Sequence, residues 1–343
     1  MRKNLPSEKQ YLERKENVLS ILKYIRTNGS QSRKQLSNGL SLSWGCVSEL
    51  VSILLYKKIL IEDASDNHNS RGRVSSVLKL NPKICFLGID VNMNGLKASV
   101  CNLLGEKLEE FDGKLKSDTK TNLTQSIINF INPILDKFKD ICGIGFAMQG
   151  IFDSNKNAWE FPADNSIFIE PKSEFEEVFN LPIVAEHDPN CILYGCFDEN
   201  VGNKMVVRLD SGIGVSIFKN GNFLKDELLE IGYFVVDKNG DRLHQIISKT
   251  AMEQNKDKQR LEEYLNYSGK LFGIALGNIC NFIRLDDIYI CGDLVTNYNL
   301  LNQSFYDFYK KTVMAEYEAE IIAVKVTNAA FGAAKIAMEN FQY

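Results

Sequence analysis

A chain of 343 residues, 44% hydrophobic and 24% charged, has the balance of a globular protein and the length of two or three domains. No run of about 18 apolar residues occurs, which excludes a membrane-spanning helix, and the polar start Met1-Arg2-Lys3-Asn4-Leu5-Pro6 lacks the apolar core of a secretion signal, so the cytoplasm is the expected compartment. The charge is divided along the chain: residues 1–83 carry 15 Lys and Arg against 7 Asp and Glu, a net of +8, while the remainder carries 25 against 37, a net of −12. A basic segment on an acidic carrier points to a polyanion-binding module.

The first elements are helical. Val18, Leu22 and Ile25 share one helix face, and Asn28-Gly29 ends that helix. Ser32-Arg33-Lys34-Gln35 reads as a capping box that opens a short second helix, which stops near Gly39. After the tight connection Leu40-Ser41-Leu42, Ser43 caps a third helix with Val47, Leu50, Val51, Leu54 and Leu55 on one face. Two helices joined by a three- to four-residue turn have helix-turn-helix spacing, and the third helix is expected in the DNA major groove with Ser43, Trp44, Cys46 and Ser48 foremost. Ser32 and Arg33 would sit beside the DNA backbone. Ile59 to Glu62 and Val77 to Leu80 read as two short strands around the basic tip Arg71-Gly72-Arg73. Such a wing suits phosphates or a minor groove. The alternative use of these helices is a bundle for dimerisation.

Asn81-Pro82 punctuates the chain, and a new pattern begins. Cys85 to Val91 is a compact apolar strand, Leu96 to Leu103 a second and Lys107 to Phe111 a third. Asn122 to Phe138 has helical periodicity, and Ile141 to Ala147 is a further buried strand. Three strands, a helix and a strand open a ribonuclease-H-like half. A second half repeats the plan. Its strands are Met205 to Asp210 and Val215 to Phe218, with the hairpin turn Asn220-Gly221 after them. Then come a long helix from Lys258 to Phe282, a strand Ile288 to Gly292, a helix Asn299 to Ala315, a strand Ile321 to Val326 and a last helix Ala329 to Met338. The expected class is α/β: a winged helix-turn-helix (1–83) followed by a two-lobed, actin-like body (84–200 and 201–343), with the last helix free to pack on the first lobe.

The eight cysteines form no C-x-x-C pair and mostly sit in apolar runs, as buried free thiols do. Three histidines, none at metal-ligand spacing to a cysteine, leave no zinc site.

The order of these segments resembles the ROK family of sugar kinases and repressors. Ser32 to Ser37, Gly72-Arg73 before Leu78-Lys79-Leu80-Asn81-Pro82, and Leu87-Gly88-Ile89-Asp90 are similar to its repressor branch. Gly143 to Gly150 resembles the strand that leads to the family's substrate loop. Glu186-His187-Asp188-Pro189-Asn190 resembles its sugar-contacting Glu-Asn-Asp segment, Leu229-Glu230-Ile231-Gly232 its Gly-Glu-Ile-Gly signature, and Phe331 to Ala334 its C-terminal helix.

Two departures carry equal weight. Family kinases have Asp-x-Gly-Gly-Thr where Asp90 is followed here by Val91-Asn92-Met93-Asn94-Gly95, so a phosphate cradle is not expected. Ser211-Gly212-Ile213-Gly214 then reads as a structural tight turn, with a second phosphate turn as the alternative. The family's zinc-binding His is replaced by Tyr233, and Asp237 to Ser248 holds no cysteine, so no cofactor is expected. The resemblance makes Asp188 the counterpart of the catalytic base, which without phosphoryl chemistry would simply hold a sugar hydroxyl. Glu230, His187, Tyr233 and Asn165 would complete the sugar contacts. The bland alternative for Asp188 and Glu230 is ordinary surface carboxylates.

The resemblance thus implies a non-enzymatic, sugar-responsive repressor of carbohydrate-utilisation genes. It would bind a double-stranded operator as a homodimer or homotetramer and answer to a small sugar, without contact to a membrane. An ATP-dependent sugar kinase and a DNA-binding regulator with a degenerate effector site are the competing expectations.

Overall fold

The computed structural model describes residues 8–63, 76–162, 167–196, 202–210, 212–224, 230–255, 257–324 and 329–341. The arginines Arg71 and Arg73 and the loop residue Asn165 lie outside the described residues.

The head is built as its caps dictate. Helix α1 (Glu8–Asn28) precedes α2 (Arg33–Leu40) and α3 (Trp44–Tyr56), followed by the antiparallel strands β1 (Leu60–Asp63) and β2 (Val77–Leu80). The Ser32 and Gln35 side chains satisfy each other's backbone N–H groups at the start of α2, and Ser43 Oγ accepts from Cys46 N at 3.2 Å at the start of α3. Leu36, Val47, Val51 and Leu54 are buried against Ile21, Leu22 and Ile25 of α1.

The body is two five-stranded sheets with one plan. In the first lobe, β3 (Cys85–Asn92), β4 (Gly95–Asn102) and β5 (Lys107–Gly113) are antiparallel. Next come α4 (Lys120–Lys137), β6 (Ile141–Met148), a small antiparallel sheet of β7 (Ile151–Asp153), β8 (Ala158–Phe161) and β9 (Ile167–Ile169), α5 (Pro171–Phe179), β10 (Ile183–His187) and α6 (Asp188–Cys196). The sheet order is β10-β6-β3-β4-β5, with β3, β6 and β10 parallel. In the second lobe, β11 (Lys204–Leu209), β12 (Ile213–Lys219) and β13 (Asn222–Phe223) are antiparallel. The helices α7 (Leu243–Ile246), α8 (Lys249–Gln254) and α9 (Lys258–Phe282) lead to β14 (Asp287–Cys291), α10 (Asp293–Asn297), α11 (Gln303–Thr312) and β15 (Glu320–Val324). The order β13-β12-β11-β14-β15 repeats the first sheet, again with three antiparallel strands and then two parallel additions. The mixed α/β architecture read from the sequence is therefore observed, with the three-stranded sheet β7-β8-β9 added to it.

The last helix, α12 (Ala329–Asn340), ties the molecule together. It leaves the second lobe and packs on β3, β4, β6 and α6 of the first. The approach is backbone to backbone: a Cβ on Gly88 would lie 1.8 Å from the Ala330 carbonyl oxygen, and one on Gly332 would lie 1.7 Å from the Cys191 carbonyl oxygen. Phe331, Ala334, Ala337 and Met338 of this helix share one apolar cluster with Phe86 and with the head's Leu54 and Leu80. Arg26 Nε of α1 also donates to the Leu103 carbonyl at 3.0 Å. The head is thus fused to the first lobe through a common core and is not strung on a linker.

A shared core predicts shared unfolding. The chain has two tryptophans, Trp44 in the head and Trp159 in the first lobe. Denaturant unfolding followed by fluorescence in Trp44→Phe and Trp159→Phe variants should give coincident transitions for head and lobe. A separate, earlier head transition would contradict the common core. Gly332→Ala should lower stability by about 1–3 kcal/mol or more, as overpacking does, read as a drop in Tm.

Candidate functional site

A cleft of about 830 Å³ opens between the lobes. Its floor is an ion-pair cluster. Asp188 is the first residue of α6, directly after the edge strand β10, and is 4% exposed. Arg208, on the buried strand β11, directs Nη1 at Asp188 Oδ2 and donates from Nε to Asp210 Oδ2 at 2.5 Å. Asp210 Oδ1 accepts from the Asp293 backbone N–H at 2.6 Å. One guanidinium therefore joins α6 of the first lobe to the end of β11 in the second. Burial alone would lower the Arg208 pKa, but the carboxylates of Asp188, Asp90 and Asp210 raise it, so the guanidinium stays charged.

Asp90, on β3, adjoins this cluster. Burial raises its pKa above the ordinary value, the Asp188 charge raises it further, and Arg208 opposes both. Its Oδ1 is buried with no hydrogen-bond partner among the described residues. In the turn after it, Met93 N donates to Gln149 Oε1 at 2.8 Å and Asn94 N to Asn92 Oδ1 at 2.9 Å.

One cleft wall is aromatic. Phe152 meets the edge of Trp159, with centroids 5.4 Å apart, and Trp159 stacks on His187 at 5.8 Å and 19°. His187 Nε2 lies 3.5 Å from Asp188 Oδ1, so both oxygens of Asp188 face cationic or imidazole nitrogens. On the opposite wall a short 3₁₀ turn, Ile231–Tyr233, follows the exposed Glu230. The exposed Tyr233 ring lies 5.0 Å from the His244 ring, tilted by 51°, and 4.9 Å from the Arg242 guanidinium. His244 Nδ1 lies 2.7 Å from the Gly232 carbonyl oxygen, which fixes the imidazole at the cleft edge.

The segment that in zinc-binding relatives would carry the ligands is organised by Asp237. Its carboxylate accepts from Asn239 N at 2.9 Å, Asp241 N at 3.0 Å and Tyr267 Oη at 3.0 Å. These bonds, that from Asp241 N first, hold the Asp237 pKa below the ordinary carboxylate value. Among the described residues no three His, Cys, Asp or Glu side chains gather as a metal would require.

The structure brings His187, Asp188, Glu230 and Tyr233 to one cleft. It also shows what the sequence reading left unassigned. Trp159, His244, Arg208 and Asp210 line the same space. A charged Arg-x-Asp at the end of an apolar strand was the available signal for the last two, since Arg and Asp are almost never buried unless paired. In the head, Trp44 is 57% exposed on the outer face of α3 and Ser48 is half-buried. Ser32 and Ser43 spend a lone pair each on capping, Arg33 pairs with Glu62 at 3.1 Å, and Cys46 packs partly on the head core. Glu49, exposed on α3 and paired with Arg14 at 3.0 Å, is a further group on that face.

This arrangement has counterparts in known proteins. Residues 86–242 match the model of the ROK family. The xylose repressor of Bacillus spizizenii is 28% identical over 245 residues, covering 68% of this chain and 64% of that protein. The xylose repressor of Staphylococcus xylosus is 24% identical over 225 residues, covering 63% and 59%. The chain thus matches less than two thirds of the length of these relatives. A crystal structure of a ROK family transcriptional regulator, a homologue of the E. coli MLC protein, superposes with a TM-score of 0.80 at 17% identity, over 95% of this chain and 97% of its own. A ROK family glucokinase from Streptomyces griseus, solved with glucose and AMPPNP, gives 0.63 at 15% identity, over 75% and 100%. These structures share the fold, as the order of sequence segments implied.

Asp90 provides a titration test. Its folded-state pKa is raised, so the native protein loses stability as pH rises from the ordinary value of 3.8 towards that raised pKa. Asp90→Asn removes the penalty. The variant should melt at a higher Tm than the native protein near neutral pH, and the gain should shrink towards about pH 4. A gain that is constant with pH would contradict the raised pKa of the buried Asp90.

Proposed function

We propose that this protein is a sugar-responsive, DNA-binding transcription regulator, a repressor of carbohydrate-utilisation genes, whose kinase-like body holds its effector without phosphorylating it. The observation that carries the reading is the fusion of a capped helix-turn-helix, through one core, to a lobe whose cleft closes on Arg208 and Asp188. A general base must be free to take a proton from the attacking hydroxyl. Asp188 instead accepts from a buried guanidinium, and the turn after Asp90 spends its N–H groups on Gln149 and Asn92. Both features favour a regulator over an ATP-dependent sugar kinase.

The names of the relatives suggest a pentose such as xylose as effector. The partner is a double-stranded operator in the cytoplasm, read by α3 and by the basic 71–73 segment, with two copies on two half-sites. Among the described residues no helix is long and apolar enough to cross a membrane. The reading calls for no cofactor, and it is supported by Tyr233 in place of the family's zinc-binding His and by the Asp237 carboxylate accepting from Asn239 N and Asp241 N. Coupling between the two functions runs along α12: Ile336 and Asn340 line the cleft, while Ala337 and Met338 lie in the core shared with the head.

The test is fluorescence anisotropy of labelled DNA from upstream of the protein's own gene, with a panel of sugars. Saturable, salt-sensitive binding that a sugar releases is the expected result. Binding that no sugar changes would favour the degenerate-site alternative, and no specific binding would overturn the reading. Trp44→Ala should weaken specific DNA binding by about ten-fold, the scale of one lost base or backbone anchor. Its Tm should hardly move, because the side chain is exposed.

A further inference from the structure

A second cavity, of about 800 Å³, lies where the head meets the first lobe, and it shares no lining residue with the inter-lobe cleft. Its walls come from the end of α3 and the start of β1, from the connection 81–84, and from the approach to β6 with Phe341 beyond α12. Asn81 holds two of these walls in register. Its backbone N–H donates to the Ile59 carbonyl at 3.0 Å and its Nδ2 to the Lys58 carbonyl at 2.8 Å, while its Oδ1 accepts from Lys83 N at 3.1 Å. One residue therefore sets Lys58 and Lys83 together at the cavity. Lys58 has a φ of 59°, in the left-handed region that side chains other than glycine rarely adopt. Glycine would take this turn without strain, and backbone outliers of this kind gather at ligand sites.

The lining has two chemistries. Ile59, Ile84 and Ile141, all buried, and the half-buried Phe341 give an apolar floor. Lys57, Lys58, Lys83 and Lys139 stand exposed around it, against the single carboxylate of Asp140. Lys139 also pairs with the exposed Asp136 at 2.8 Å, but no ion pair among the described residues engages Lys57, Lys58 or Lys83. Clustered ammonium groups repel one another, and a bound anion relieves that repulsion. Operator phosphates do not suit the place, because the 13 residues of α3 set Lys57 about 20 Å from the N-terminal residues expected in the major groove.

We propose that this cavity is a second ligand site, for a small organic anion whose apolar or aromatic body lies on the isoleucine floor and whose charged group is met by Lys58 and Lys83. The site does not depend on what the inter-lobe cleft holds. Its walls belong to both the head and the lobe, so an anion that prefers one seat of the head gives DNA binding an input separate from the cleft.

Fluorescence titration of the full chain with 8-anilinonaphthalene-1-sulfonate, an anion on an aromatic body, tests the site. The native protein should bind the probe saturably and more weakly as salt is raised. The double variant Lys58→Gln, Lys83→Gln should bind it about five-fold or more weakly, the scale of two exposed charge contacts. Its Tm should stay at the native value, because both side chains are exposed and unpaired. Lys172→Gln, which removes a lysine that lines the inter-lobe cleft instead, should bind the probe as the native protein does. Absence of saturable binding, or equal affinity in the native protein and the double variant, overturns the proposal. An equal loss in Lys172→Gln marks a general effect of charge and overturns it too. Loss of operator affinity in the double variant without any probe present would assign these lysines to the DNA backbone instead.

Discussion

A guanidinium buried between two lobes must be paired, and this requirement shapes the molecule. Arg208 is 6% exposed, and leaving such a charge without partners costs several kcal/mol. Asp188 and Asp210 supply the partners from either side of the cleft floor. The lobes are therefore tied at the cleft floor. Asp188 is engaged with Arg208, and the walls of the cleft are left to meet a ligand.

The second constraint is the seat of α12. Its close backbone approach to β3 and α6 fixes the start of α6, and thus Asp188, relative to the helix that also fills the head's core. Interfaces of this kind pass small displacements as discrete repacking, because cores are too dense to deform smoothly. A ligand that prefers one arrangement of the lobes would shift the head by as much as that preference allows.

The sequence disclosed most where structure is local. Ser32 with Gln35, and Ser43 with the apolar face after it, marked the two helices of the head because caps and periodicity need only neighbouring residues. The central strands β3 and β6 stood out as apolar runs for the same reason. The helix expected at Asn299 begins later, at Gln303, where Asn302 supplies the cap, accepting from Phe305 N at 3.1 Å. The small sheet β7-β8-β9 was not legible: strands of three or four residues carry too little period to separate from a loop.

The site was legible in part. Asp188, His187, Glu230 and Tyr233 could be placed by resemblance, and they meet in the cleft. The partner that changes the chemistry of Asp188 lies 20 residues away on another strand, and only the fold brings the two together. His244 joins Tyr233 by the same long-range route. The 71–73 wing tip and Asn165 lie outside the described residues.

The central claim is that the cleft and the DNA-binding head are one coupled system. Coupling between two equilibrium sites is reciprocal. The most direct measurement is the affinity of the full chain for xylose, by calorimetry, with and without saturating operator DNA. Operator should weaken sugar binding by the same factor by which sugar weakens operator binding. Sugar affinity that is identical with and without DNA would contradict the account.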